Sequence, residues 1–198
     1  MKLIIASHNP GKIAEFKALF EAFDLQVQSL LDYPEIPEVE ETGTTFEENA
    51  RLKAETIAKE MNCLALSDDS GLCVPALNNE PGVYSARYAG EEKNDERNRL
   101  KLLENLKEFN GDQRKAYFTT VIVLADPQKD SLVVEGNVEG IITKEPIGEG
   151  GFGYDSLFYY PQDQQTFAQI SAERKNQISH RGQAVEKLKG KLNDWLEG

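Results

Sequence analysis

The sequence predicts an α/β domain built on a mixed central β-sheet flanked by helices. In the first half, strand-like apolar runs alternate with stretches of helical periodicity, an order that calls for crossover connections. Later, two strand-rich runs are separated only by "DPQKD", which reads as a hairpin. No repeat, low-complexity tract or linker interrupts the 198 residues, so residues 1–198 read as one domain with enough chain to bury a sizeable core.

Taken in order, Lys2–Ala6 is apolar and β-branched and predicts a buried strand. From Ile13, apolar residues at Phe16, Leu19, Phe20 and Phe23 give a helix one buried face. Leu25–Leu30 alternates as a short strand, and Asp32–Glu41, with prolines and several acids, reads as an irregular loop. Thr45–Asn62 predicts a second helix: Thr45 caps it, Glu48 completes a capping box, and Ala50, Ala54, Ile57 and Ala58 mark its packed face. Cys63–Ser67 is a short apolar strand running into "DDSGL", and Pro75–Gly90 reads as loop. Asp95–Phe109 predicts a third helix through Leu100, Leu103 and Leu106. Ala116–Ala125 and Ser131–Thr143 form the hairpin, Ser156–Tyr160 is a strand, and Gln183–Leu196 is a closing helix. Phe109 and Trp195 are assigned to packing.

Composition narrows the function. The chain is 39% hydrophobic and 28% charged, ordinary for a globular protein. No window approaches the ~20 apolar residues of a membrane span, and the N-terminus reads as a strand rather than a signal peptide. The expectation is a cytoplasmic protein with no membrane partner. A net charge of −12 opposes binding to a nucleic-acid polymer but permits a single nucleotide, whose phosphates need only a few local cations and a metal. Cys63 and Cys73 sit in apolar runs and read as buried free thiols. With only His8 and His180, a zinc cluster lacks ligands.

Several stretches carry chemistry, each with a plainer alternative. "GEGGFG", Gly148–Gly153, matches a dinucleotide fingerprint in letters but leads into a strand rather than a helix, so that reading is rejected. "SHNPGK", Ser7–Lys12, has the order strand, loop, helix without the spacing of a P-loop. It is either an anion site made of free amides and a lysine, or a helix cap by Ser7 or Asn9 with Lys12 in solvent. Glu40–Glu41 reads as surface acid. Asp68–Asp69 follows an apolar, hence central, strand, where ligand sites collect, and adjacent carboxylates repel unless a cation joins them. Hard oxygen ligands without a histidine or thiol cluster suit Mg²⁺ or Mn²⁺. Lys175, His180 and Arg181 form a basic island in an acidic chain and favour an anionic or keto-bearing ligand; helix capping by Ser179 is the plainer reading. Phe152 and Tyr154, flanked by glycines, read as a stacking platform or as core aromatics.

Together "SHNPGK", "EETGTTFEENARLKA", "DDSGL", "PGVYSARYAG", "GGFGYDSLF" and "ISHRGQA", in that order from Ser7 to Ala184, resemble the inosine triphosphatase or Ham1-like family of non-standard purine nucleoside triphosphate pyrophosphatases. The resemblance implies an elongated two-lobed α/β fold, usually homodimeric, that hydrolyses ITP, dITP or XTP to the monophosphate and pyrophosphate with Mg²⁺ and so cleanses the nucleotide pool. It also implies roles. Ser7, His8, Asn9, Pro10, Gly11 and Lys12 would hold the triphosphate, with Lys53 adding a phosphate contact. Glu41 and Asp69 would bind the metal, with Asp68 close by, and Asp69 would be the general base. Ser70 would lie beside the substrate; Phe152, Gly153, Tyr154 and Asp155 would form the base-stacking segment. Lys175, His180 and Arg181 would bind the nucleotide and read its 6-keto edge. Pro75, where an Asp is usual, Ser156, where a Pro is usual, and Arg174, where a Glu is usual, depart from the pattern. Two rival functions are a non-hydrolysing nucleotide sensor and a pyrophosphatase for modified pyrimidine nucleotides.

Overall fold

The computed structural model describes residues 2–21 and 25–197. The chain runs β1 (Lys2–Ile5), α1 (Pro10–Phe20), β2 (Gln26–Ser29), α2 (Phe46–Met61), β3 (Leu64–Val74), β4 (Glu80–Pro81), α3 (Asp95–Asn105), β5 (Lys115–Asp126), β6 (Lys129–Ile142), β7 (Phe158–Tyr160), β8 (Gln165–Thr166), α4 (Ala172–Ile178) and α5 (His180–Glu197). The strand order is β2-β1-β3-β5-β6-β7-β8, with β4 paired to β3. β1 pairs in parallel with β2 and β3, whereas β6–β7 and β7–β8 are antiparallel. The sheet is therefore mixed, as the sequence predicts.

The chain forms two compact units. The first gathers Met1–Asp69, Thr120–Gly136 and Gly182–Gly198; the second gathers Ser70–Thr119 and Asn137–Arg181. β3, β5 and β6 each contribute residues to both.

In the first unit the two-residue period of the strands sorts side chains into two cores. Leu3, Ile5, Leu64, Leu66, Ile122 and Leu124 meet Ile13, Phe16 and Phe20 of α1 and Ala184, Val185 and Leu188 of α5. Their neighbours in the chain, Ile4, Ala65, Val121 and Val123, meet Ala50, Ala54, Ile57 and Ala58 of α2. Helices thus cover both faces of the parallel strands, which is why those strands are apolar on both sides. Phe23 lies outside the described residues, as does the side chain of Leu19. Trp195 packs on the first of these cores and donates its indole N–H to the Asp130 carbonyl at 2.8 Å.

The expected capping box on α2 is present. Thr45 Oγ1 accepts from the Glu48 N–H at 3.1 Å, and Glu48 Oε2 accepts from the N–H groups of Thr44 and Thr45. This start fixes the rotation of a helix that carries Asn49 and Lys53.

The second unit has its own core of Leu72, Val74, Leu102, Leu106, Phe118, Phe158 and Phe167, with Phe109 packed against it. Here the sequence reading of α3 needs correction. Leu100 is 59% exposed, while Leu102 and Leu106 are fully buried in line with Asn98. The helical face therefore follows positions 98, 102 and 106 at i, i+4 spacing. Arg114 is a further surprise: its buried guanidinium donates to the carbonyls of Ile142, Leu106, Phe109 and Thr143. It ties the end of α3 and the residues after it to the end of β6 through main-chain carbonyls.

The closing helix begins earlier than expected, at His180, and α4 precedes it. Seven polar-rich residues carry too little periodicity to reveal α4; its one signal is Ser171, which caps the Arg174 N–H at 3.1 Å. Both cysteines are free thiols, Cys73 buried and Cys63 half-buried. Among the described residues, no helix is long and apolar enough to cross a membrane.

Candidate active site

The strand expected to stop at Ser67 continues through Asp68, Asp69 and Ser70 to Val74. Alternation along β3 then sends the two carboxylates to opposite faces. Asp68 follows Leu64 and Leu66 towards α1, and its Oδ2 pairs with Lys12 Nζ at 3.1 Å, with the Thr120 hydroxyl 3.5 Å away. Asp69 follows Ala65 and Ser67 towards α2; Ser67 itself donates to the Ala50 carbonyl at 3.1 Å. The repulsion expected between adjacent carboxylates is relieved by this geometry, each acid having its own cation. Among the described residues, no three His, Cys, Asp or Glu side chains gather into a metal cluster. The expected grouping of Asp68 with Glu41 and Asp69 does not form, because Asp68 lies on the far face.

On the α2 face, Lys53 is the hub. Its ammonium donates to Glu41 Oε1 at 2.6 Å and to the Asp68 carbonyl at 2.8 Å, and lies 3.9 Å from Asp69 Oδ1. Burial works against the Lys53 charge, but the carboxylates of Asp69, Glu41 and Asp68 outweigh it and hold the ammonium above its ordinary pKa. For Asp69 burial wins, pushing its carboxyl up against the pull of Lys53 and Lys12. Two hard oxygen donors, Glu41 and Asp69, therefore already flank a bound positive charge, a donor set that fits a small divalent ion.

Asn49, which sequence reasoning missed, orders this group. It is fully buried, accepts from the Gly43 N–H at 2.7 Å and donates to Asp69 Oδ2 at 3.1 Å. A backbone donor at one end fixes which way the amide points, so its NH₂ faces the carboxylate. Gly43 tolerates no side chain, since a Cβ would lie 2.7 Å from Asn49 Oδ1 and 2.6 Å from Glu48 Cβ. The available signal was an amide on the apolar face of a helix, one residue before Ala50.

The opening loop follows the capping one of its two sequence readings, with Lys12 paired rather than left in solvent. Asn9 caps α1, its Oδ1 accepting from the N–H groups of Gly11 and Lys12 at 2.9 and 3.2 Å, and Ser7 Oγ accepts from the Asn9 N–H at 3.1 Å. Pro10 occupies the first helical position, where its missing N–H costs nothing. His8 and Gly11 are half-buried. Lys12 is drawn out of solvent by Asp68. β1 lies parallel to β3 in register Ile5↔Leu66, and the Ala6 N–H bonds the Leu66 carbonyl at 2.7 Å. Ser7–Lys12, leaving the carboxyl end of β1, thus starts beside the part of β3 that runs on through Asp68 and Asp69.

A second polar group lies in the second unit. Asp155 Oδ2 accepts from Lys175 Nζ at 2.7 Å and from the Phe152 N–H at 2.9 Å, with both charged residues buried. The Gly-rich stretch exists to make this turn. Gly151 has φ +71°, and a Cβ there would lie 2.2 Å from Asp155 Oδ2. Lys175 Nζ and the Arg181 guanidinium carbon approach the Phe152 ring at 4.7 and 5.5 Å. His180 is buried and stacks on Phe118 at 4.9 Å. Of the two sequence readings Tyr154 follows the core one: its ring belongs to the core, and its hydroxyl donates to the Ser85 carbonyl at 2.7 Å. That hydroxyl is held far above the ordinary tyrosine range by burial, then by Tyr88 and Asp95. Phe152 is the half-buried aromatic of the pair.

Comparison with known proteins gives this arrangement a relative. The family model described as "Ham1 family" matches residues 3–191. The chain belongs to the Ham1 family. Along its whole length this Ham1 chain is 49% identical to the dITP/XTP pyrophosphatase of Bacillus cereus, covering 97% of that protein. It is 48% identical to the dITP/XTP pyrophosphatase of Listeria monocytogenes over 99% of the chain and 97% of the relative. Among solved structures, the Staphylococcus aureus Ham1 protein matches with a TM-score of 0.86 at 48% identity, over 98% of this chain and 99% of that one. A HAM1 protein from Coxiella burnetii matches with a TM-score of 0.88 at 41% identity and the same coverage.

The departures noted in the sequence sit comfortably in this Ham1 chain. Pro75 opens a 3-10 turn after β3, and the Ser156 carbonyl accepts from the Ile147 N–H at 2.8 Å. Arg174 forks onto Asp163, Nε to Oδ2 at 2.7 Å and Nη2 to Oδ1 at 2.8 Å, and so points away from the neighbouring Lys175–Asp155 pair in its bonding.

Proposed function

We infer that this chain hydrolyses deaminated purine nucleoside triphosphates, ITP, dITP and XTP, to the monophosphate and pyrophosphate. The full-length match at 48–49% identity to dITP/XTP pyrophosphatases carries the reading. The residue chemistry supports it. Lys12 and Lys53 offer positive charge to a triphosphate. Lys175, His180 and Arg181 offer buried donors to a purine, with Phe152 as the surface for stacking. Donors in a dry pocket pair with a 6-keto oxygen and are left unpaired by the 6-amino group of adenine, which sets selectivity by the cost of an unmade bond.

Glu41 and Asp69 are assigned to a Mg²⁺ ion, or Mn²⁺ in its place. Such an ion polarises phosphate and acidifies water. Asp69 takes the proton of the attacking water; its burial makes it a better acceptor than a surface carboxylate. Lys53 bridges Glu41 and Asp69 and neutralises phosphate charge. Ser70, the residue after Asp69, lies beside the substrate in this assignment. The protein acts in the cytoplasm as a homodimer, with residues 1–198 forming one catalytic domain and no nucleic-acid polymer as partner.

The test is a panel of ITP, XTP, dITP, ATP and dUTP with Mg²⁺, scoring monophosphate and pyrophosphate, repeated in excess EDTA. Pyrophosphate from ITP and XTP, little from ATP, and none in EDTA is the expected outcome. Binding without hydrolysis would point to a sensor, and faster turnover of dUTP to a pyrimidine enzyme.

A further inference from the structure

The turn that carries Phe152 is held from outside by α3, a helix that contains none of the motifs singled out in the sequence. Gly153 follows the ring at φ +59°, and nothing lies within 4 Å of where its Cβ would be. Glycine here provides a left-handed turn, not a close contact, and left to itself it is the loosest link in the segment. α3 supplies a partner to each of its backbone groups. The Gly153 N–H donates to Asp95 Oδ2 at 2.8 Å, and the Gly153 carbonyl accepts from Arg99 Nη1 at 2.8 Å. Asp95 and Arg99 stand four residues apart in the first turns of α3, on neighbouring turns of one face. The two bonds fix the peptide planes on either side of Gly153, one leading from Phe152 and the other into Tyr154.

The rest of the turn is already anchored. Asp155 accepts from the Phe152 N–H, and the Tyr154 hydroxyl is bonded to Ser85 in the core. Gly153 has both of its backbone groups bonded by side chains of another element. We propose that Asp95 and Arg99 are positioning residues that set the affinity and selectivity of the site for the base by clamping the Gly153 backbone and so aiming the Phe152 ring. This rests on the reading that Phe152 meets the purine, and it adds residues outside every motif that suggested that reading. The α3 face is thereby part of the specificity apparatus, and it acts without touching substrate.

The effect should be one of binding rather than of chemistry, because the clamp acts on the stacking segment and not on the acids of the first unit. A charge-assisted bond to backbone is worth about ten-fold or more in affinity. Asp95→Ala and Arg99→Ala are therefore expected to raise KM for ITP by roughly five- to thirtyfold with kcat changed less than about threefold. They should also narrow the ITP to ATP ratio of kcat/KM. Asp95→Asn keeps an acceptor oxygen for the Gly153 N–H and should recover most of the wild-type KM, whereas a role of charge alone would leave it as impaired as Asp95→Ala. Because Asp95 is exposed and Arg99 half-buried, both variants are expected to fold; thermal melts of each accompany the kinetics. Unchanged KM and unchanged selectivity in both alanine variants, or a fall in kcat alone in step with a lowered Tm, would overturn the inference. Wild-type protein that releases no pyrophosphate from ITP would instead overturn the underlying reading, and the inference with it.

Discussion

Lys53 and Glu41 meet at 2.6 Å, and the same ammonium stands 3.9 Å from Asp69. One cation therefore faces a half-buried and a buried carboxylate. Removing one partner of such a pair leaves the other uncompensated, which costs about 3 kcal/mol or more. Lys53→Met is expected to lower Tm by roughly 6–12 °C. The double variant Lys53→Met/Glu41→Gln should regain part of that loss, since it removes the stranded charge. Thermal melts of the three variants check this; a double variant less stable than Lys53→Met would contradict it.

Asp69→Asn keeps the volume and the bond to Asn49 Nδ2, through its own amide oxygen, and should fold normally. Loss of the proton acceptor is expected to lower kcat by on the order of 10²-fold or more. Asn49→Asp probes the support for Asp69: the acceptor for the Gly43 N–H survives, while the donor to Asp69 is replaced by a carboxylate oxygen. Turnover should fall about tenfold with a smaller change in KM. Steady-state kinetics on ITP distinguishes these outcomes, and wild-type kcat in Asp69→Asn would move the base elsewhere.

Arg181→Ala should erode the preference for ITP over ATP more than it slows either alone. The phosphates are the same in both substrates, so only contacts to the purine can separate them. One desolvated bond from a charged donor is worth about 1.5–3 kcal/mol, or roughly ten- to a hundredfold in the ratio of kcat/KM values. Lys12→Ala, acting on phosphate, should lower both substrates alike. A four-way comparison of the two variants on ITP and ATP decides; the opposite pattern would exchange the roles of the two ends.

Acid should loosen α2 through its cap. The Glu48 carboxyl is held below its ordinary value by the Thr44 N–H, then by the Thr44 hydroxyl and the Thr45 N–H. A lowered folded pKa means stability that is present above the unfolded value and is lost as pH falls through the folded one. The Tm advantage of wild type over Glu48→Gln is therefore expected at pH 7 and should shrink between roughly pH 5 and 3. A difference that stays constant across that range would show that the carboxylate charge plays no part in the cap.

Much of this was legible in the sequence because the relevant signals are local. The capping box of α2, the hairpin of β5 and β6, and the strand-loop-helix at Ser7–Lys12 all depend on residues a few positions apart. What escaped depends on distant partners. The apolar run of β3 ends at Ser67, yet Asp68, Asp69 and Ser70 remain in the strand, where Lys12, Asn49 and Lys53 arrive from two helices to meet the two acids. Nothing local to Arg114 marks it, and only the fold brings it to four carbonyls. Tyr154 and Phe152 look alike in sequence, and only the Ser85 carbonyl tells the core aromatic from the half-buried one.

The placing of Asp68 and Asp69 on opposite faces of β3 makes the chemistry of this site a matter of parity. A strand shifted by one residue turns every side chain over. Deleting a single residue between Leu64 and Ser67 would hand Asp69 to Lys12 and leave Lys53 facing Ser70, with all the functional residues still present in the chain. Deleting two would return each acid to its own face. In this strand, then, length is counted in twos, and variation that preserves every catalytic letter can still abolish the enzyme by changing odd to even.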